Sequence, residues 1–389
     1  MNFPLFAVFC SYSIFSVAYS FSTIFFNIYI WKHHDNLITL GWFQLCSFLF
    51  TFVGFLIGAH LIHRAGSRMN FLGSAVVALI LYSSLIWMSF QSLAAIGIAG
   101  LLNGLYVGLF FAGLNFYSLW FAEQKQVPRI FGLQYMVSGS GQLLTPPLAG
   151  WLIYWKGYDL AFLAAVSIVT VQAVFSLATP RVKIPYPFQR RRFFVPVDKN
   201  MSWVGFSAAS FGFFFAFVNM SLSIFVYLFV QNEWDVGEWN TLFALLSILT
   251  YFFLGKSMLK SHHEMIATLG IIFTTVVTVT LLVPAPFIFI IFNAVISVSL
   301  PMFWIPSFTR QFDIIHRQVQ RSSANPLTTM MELLVYREFT LCLGRLAFFI
   351  LLMITYTWLN HHALQVIIMV LSFMPAAVYV LSRQAKYDI

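Results

Sequence analysis

Residues 40–62 read LGWFQLCSFLFTFVGFLIGAHLI and carry no formal charge. At about 1.5 Å of rise per residue, such a run makes a helix long enough to cross a hydrocarbon layer roughly 30 Å thick. A membrane β-barrel would show strands of about 10 residues alternating apolar and polar positions, and this run does not alternate. Residues 40–62 therefore read as one transmembrane helix.

The same texture extends over all 389 residues, of which 60% are hydrophobic and only 8% charged. A soluble domain carries about 25% charged residues, so this chain cannot cover a water-facing surface. Its 46 Phe, 11 Trp and 16 Tyr exceed what one soluble core could hide. Soluble enzymes, nucleic-acid readers and disordered scaffolds are excluded as readings of the whole chain. The net charge of +9 does not restore a nucleic-acid partner, because the basic residues punctuate the apolar runs singly or in small groups. The three cysteines lie inside apolar runs and read as inert packing. There is no basic n-region ahead of the first run, which therefore stays as a span.

At about 32 residues per helix and turn, the length gives about twelve spans. They fall at residues 6–31, 38–62, 69–89, 93–121, 130–155, 160–178, 203–230, 240–259, 266–283, 286–309, 329–358 and 362–381. Seventeen Lys and Arg lie in or beside alternate loops and the tail, two (Lys32, Lys156) in the opposite loops, and two inside a span. That split places both termini in the cytoplasm. The one long connection, 179–201, is rich in Pro and Arg and reads as a topology anchor lying against anionic lipid. It divides the chain into an N-terminal six-helix bundle (1–178), a cytoplasmic basic linker (179–201) and a C-terminal six-helix bundle (202–389). Residues 42–73 and 239–270 share seven identities in thirty-two positions, among them Trp42/Trp239 and Gly58/Gly255. Since six is even, such repeats are parallel. The fold class is an all-α integral membrane protein of 12 transmembrane helices in two six-helix parallel pseudo-repeats.

Two local patterns add to this arrangement. The second-to-third helix loop reads His63-Arg64-Ala65-Gly66-Ser67-Arg68, and the fifth helix contains Gly141-Gln142-Leu143-Leu144-Thr145-Pro146-Pro147-Leu148-Ala149-Gly150. The chain resembles the major facilitator superfamily. That family has an Asp-Arg-x-Gly-Arg-Lys-like run in the first cytoplasmic loop, matched here at Arg64, Gly66 and Arg68, with His63 in place of the acid. The resemblance implies a gate at this loop, with Glu123 as an acid for Arg64. The fifth-helix stretch resembles the family's Gly-Pro-x-x-Gly-Gly element. Pro146 and Pro147 there mark either an exporter's rocking element or simply a kinked, tightly packed helix.

Gly100, Gly104, Gly108 and Ala112 recur every four residues and predict backbone-to-backbone helix packing. Asn27, Asn115, Gln142, Asn219 and Asn293 are neutral hydrogen-bonding groups available to a central pathway. The eleventh span holds Glu332, Arg337, Glu338 and Arg345, four ionisable groups that are unfavourable in a membrane unless paired or facing water. Glu338 and Arg345, seven apart, share a helix face. A buried Arg suits a carboxylate or phosphate, and a desolvated Glu can carry a proton. A structural ion-pair network is the competing reading of the same residues. The His pairs sit in loops or at helix ends, so no metal site and no cofactor is expected, and no enzyme motif is present. The resulting expectation is a secondary transporter that moves a small solute by alternating access. It would be a monomer, proton-coupled or an exporter, in a bacterial plasma membrane. The alternative is a non-transporting scaffold or sensor that keeps the fold.

Overall fold

A computed structural model describes residues 3–87, 92–120, 127–184, 188–257, 263–283, 285–358 and 360–384. They form twelve helical rods. The first, α1, spans residues 3–34 and is α-helical at Phe3–Phe21 and Asn27–His34, with a π-helical turn at Ser22–Phe26. The others in the first half are α2 (Leu37–Arg64), α3 (Arg68–Trp87), α4 (Leu93–Trp120), α5 (Val127–Lys156) and α6 (Tyr158–Leu177). A short 3-10 turn at Arg190–Phe193 interrupts the connection. The second half contains α7 (Lys199–Val230), α8 (Glu233–Ser257), α9 (His263–Thr280), α10 (Phe287–Arg321), α11 (Pro326–Trp358) and α12 (Asn360–Gln384). Ten of the twelve contain stretches long and apolar enough to cross a membrane. Of the other two, α5 is 30 residues long and α9 is the shortest at 18.

Most of the helices start earlier than hydropathy alone predicts, because polar caps extend them ahead of the apolar runs. At the start of α7 the Asp198 side chain accepts from the Met201 amide at 2.7 Å, adding a turn before Trp203. Asn232 does the same for Asp235 at 2.8 Å, so α8 begins in the acidic stretch that hydropathy assigns to a loop.

Helix pairing repeats with a shift of six. Within the halves, α2 packs on α4 as α8 does on α10, α3 on α6 as α9 on α12, and α1 on α5 as α7 on α11. Between the halves, α2 meets α11 and α5 meets α8, a pair of contacts that the same shift exchanges. The small-residue stripe of α4 makes a backbone-to-backbone seam with α2. A Cβ on Gly104 would lie 2.2 Å from the Ser47 carbonyl oxygen of α2, and one on Gly108 would lie 2.0 Å from that of Thr51. Where lipid offers no hydrophobic drive, this close approach supplies the packing that holds the helices together.

Candidate functional site: a central cavity and its two ends

At mid-length, between the halves, lies a cavity of about 340 Å³ lined from α1, α2, α4, α5, α7, α8, α10 and α11. Its walls are aromatic. Phe15 and Tyr19 of α1 stack at 5.6 Å, and Phe211 of α7 stacks on Trp304 of α10 at 3.5 Å. Asn115 and Asn219 line it, and the Tyr19 hydroxyl faces the Asn219 amide.

Among the described residues, its charged lining is Arg337, Glu338 and Arg345, all from α11. Arg345 donates from Nη1 to Glu338 Oε1 at 3.0 Å, and its guanidinium carbon lies 5.1 Å from the Phe48 ring and 5.7 Å from that of Phe215. Its Nε is buried, with no hydrogen-bond partner among the described residues. Arg337, 3% exposed, donates from Nε to Gln311 Oε1 at 2.9 Å and lies 4.3 Å over the Phe308 ring. Gln311 in turn donates to Ser207 Oγ at 3.0 Å, and Ser207 donates to the Val378 carbonyl at 2.8 Å. This chain of bonds ties α11, α10, α7 and α12 together. Arg337 thus belongs to a hydrogen-bonded network between helices, and the Arg345–Glu338 pair lines the cavity beside it.

The remaining predicted site residues divide differently. Glu332 does not line the cavity. It is 1% exposed and accepts from the Gln189 amide at 2.7 Å and from Arg192 Nη1 at 3.0 Å, so it fastens the linker's 3-10 turn to the start of α11. Asn27 is likewise off the cavity wall. Its Oδ1 accepts from Gln44 at 2.7 Å and its Nδ2 donates to Ser223 Oγ at 3.1 Å, a buried bridge between the halves. It directly follows the π-helical turn, a feature frequent at functional positions in helices. Asn293 is fully buried away from the cavity, with neither amide atom hydrogen-bonded among the described residues. The Gln142 side chain and Glu123 lie outside the described residues.

The loop at 63–68 engages the linker as well as α4, where Ser67 Oγ and the Tyr117 hydroxyl share a hydrogen bond of 2.7 Å. Gly66 adopts φ +98°, and the turn it permits lets the Ser67 amide donate to the Val182 carbonyl at 2.8 Å. Arg68 Nε donates to the Thr179 carbonyl at 2.8 Å, and His63 Nδ1 pairs with the Ile184 carbonyl at 2.8 Å. Arg64 is exposed. His63 thus helps to hold the loop on a backbone carbonyl of the linker. Phe188 then packs edge-on against His60 and His63, and Phe194 touches both Phe52 of α2 and Phe339 of α11. The linker is thus wedged between the two halves. Replacing Glu332 with alanine is expected to free it. The unmade hydrogen bonds should lower stability by about 2 kcal/mol, and tryptic cleavage at Arg190–Arg192 should be several-fold faster than in the parent.

At the end formed by the α1–α2 and α7–α8 turns, the halves are latched. Lys32 Nζ donates to Glu233 Oε1 at 2.7 Å, and the Tyr158 hydroxyl donates to the same oxygen at 3.2 Å. The fifth-helix element lies just below, where a Cβ on Gly237 of α8 would fall 2.5 Å from the Pro146 carbonyl oxygen. Pro146 and Pro147 therefore belong to a tightly packed face of α5 against α8. Sequence reasoning missed Lys32, Glu233, Gln311 and Trp304. Only the position of Lys32 and Glu233 at facing helix ends offered a signal for the first two.

Residues 6–334 match the Major Facilitator Superfamily. An uncharacterized protein, YqgE of Bacillus subtilis (strain 168), is 21% identical over 341 residues, covering 86% of this chain and 78% of that protein. The crystal structure of the human organic anion transporter MFSD10 (TETRAN) superposes with a TM-score of 0.69 at 13% identity, covering 98% of this chain and 99% of that one. With a family match over most of its length and a matching fold, the chain belongs to the major facilitator superfamily.

Proposed function

We propose that the protein carries a small organic anion across the plasma membrane by alternating access, with both termini cytoplasmic and the monomer as the working unit. The two functional units are the bundles 1–178 and 202–389, joined by the linker 179–201. The observation that carries this reading is the cavity at mid-length between the halves, whose charged lining is the Arg345–Glu338 pair with Arg337 beside it. Three ionisable groups in a membrane interior are unfavourable without a use, and ion pathways are where such groups are found. The similarity in fold to a protein described as an organic anion transporter agrees with the excess of arginine over acid. Glu338, 6% exposed and in contact with the cavity, is the acid available for coupling to protons.

In alternating access, the latched end (Lys32, Glu233, Asn27, Ser223) and the linker end open in turn around a fixed central site. The full-length protein in nanodiscs, spin-labelled at His33 and Glu238 for one end or at Arg64 and Arg321 for the other, tests this. The expected result is two distance populations for each pair, with the long distance of one pair accompanying the short distance of the other under the same conditions. A single unchanging distance for both pairs would assign the chain to a non-transporting scaffold.

A further inference from the structure

We propose that the central cavity selects a singly charged anion with a flat apolar body, and that Arg345 alone is the anion's ligand. The inference takes from the transport reading only that the solute occupies this cavity. Two arginines and one glutamate give the described lining a formal charge of one positive. One carboxylate on the solute balances it, whereas a second would stand in an aromatic chamber with no cation left to meet it.

The two arginines are not equivalent. Arg337 has its Nε committed to Gln311 and its face covered by Phe308 and Phe312, at 4.3 and 5.0 Å. Arg345 uses Nη1 on Glu338 and, with 13% of its side chain exposed against 3% for Arg337, is the more open of the two to the cavity. A guanidinium carries five donors in a fork that suits a carboxylate. Arg345 can therefore hold Glu338 at one edge and a solute carboxylate at another. The body of the solute is set by the rings from both halves, Phe15 and Tyr19 on one side and Phe211, Phe215 and Trp304 on the other. A cavity of about 340 Å³ lies at the small end of ligand pockets, in keeping with one or two fused rings.

The test is binding of three probes to the purified full-length protein by calorimetry: 2-naphthoate, its neutral analogue 2-naphthamide, and 2,6-naphthalenedicarboxylate. The parent is expected to bind naphthoate at least tenfold tighter than either of the others. Arg345→Gln should remove the preference for naphthoate over the amide. Arg345→Lys, which keeps the charge but not the fork, should weaken naphthoate at least tenfold and serves if the first variant does not fold. E338Q leaves two positive charges and should move the preference to the dicarboxylate. Arg337→Lys should lower the melting temperature and leave the preference for naphthoate intact. The proposal is overturned if the amide or dicarboxylate equals naphthoate in the parent, if no probe binds, or if Arg337→Lys loses the preference while the Arg345 variants keep it. Flux of labelled naphthoate into proteoliposomes separates this from the transport reading. Charge-selective binding without flux would sink transport and leave the charge rule standing, and flux without charge selectivity would do the reverse.

Discussion

Gly344→Leu is expected to destabilise the protein by about 3 kcal/mol or more, at the upper end of what overpacking a buried contact produces. A Cβ at this position would sit 1.9 Å from the Ala209 carbonyl oxygen and 2.7 Å from its carbon, both backbone atoms of α7 that no rotamer change can move. The seam is reciprocal, since a Cβ on Gly212 of α7 would lie 2.2 Å from the Leu341 carbonyl oxygen of α11. Two helices that meet backbone to backbone through a pair of glycines must separate along their whole contact to admit a side chain. That separation also displaces Arg345, the next residue, from Glu338. Thermal unfolding in detergent should show the loss, together with a smaller fraction of monodisperse protein on gel filtration. Gly73→Ala is the control. Its Cβ would meet only Leu109 Cδ1 at 3.7 Å, an ordinary contact, and alanine improves helix propensity by up to about 1 kcal/mol. If Gly344→Leu melted with Gly73→Ala, the glycine seam would not be what joins α7 to α11.

The number of rods, their order and their pairing into like-oriented halves were legible because each rests on a one-dimensional quantity. Charge-free length gives a span, and an even number of spans in each half makes the two repeats parallel. The ends were less legible. The stretch Glu233-Trp234-Asp235-Val236-Gly237-Glu238 has the composition of a loop, yet it is the first two turns of α8, capped by Asn232 and docked on Pro146. In the site, the energetic anomaly of α11 was visible, because four ionisable groups in one apolar run need an explanation wherever they point. Their partners were not. Arg337 finds Gln311 on the neighbouring helix, and Glu332 finds Arg192 and a backbone amide of the linker, pairings between elements that no helical period encodes. Asn27 shows the same limit. An amide in a span reads equally well as a cavity wall or as an interhelical bond, and only its contacts with Gln44 and Ser223 decide for the bond.

Lys32→Ala is expected to move the equilibrium toward opening of the latched end by one to two orders of magnitude, that is by about 1.4–2.8 kcal/mol. Glu233 is 7% exposed, so without Lys32 its carboxylate keeps, among the described residues, only the Tyr158 hydroxyl and stands largely desolvated in the closed arrangement. Separating the halves returns it to water, so the loss falls on the closed state alone. Lys32 is itself 42% exposed, which limits what the pair contributes and places the effect below that of a fully buried ion pair. Glu233→Gln removes the charge without removing the side chain, and adding it to Lys32→Ala should restore much of the closed population, since no unpaired carboxylate then remains. The spin-label pair at His33 and Glu238 reads these populations directly, and the double-mutant cycle gives the coupling between the two residues. The expected coupling is at least about 1 kcal/mol and favours the closed end. A cycle that closes to additivity would show that Asn27, Ser223 and the α5–α8 packing hold this end shut by themselves, with Lys32 a bystander. Under the proposed alternating access the latch must break in every turnover, which bounds its strength from above as well as below, and a half-exposed lysine on a buried glutamate meets both bounds.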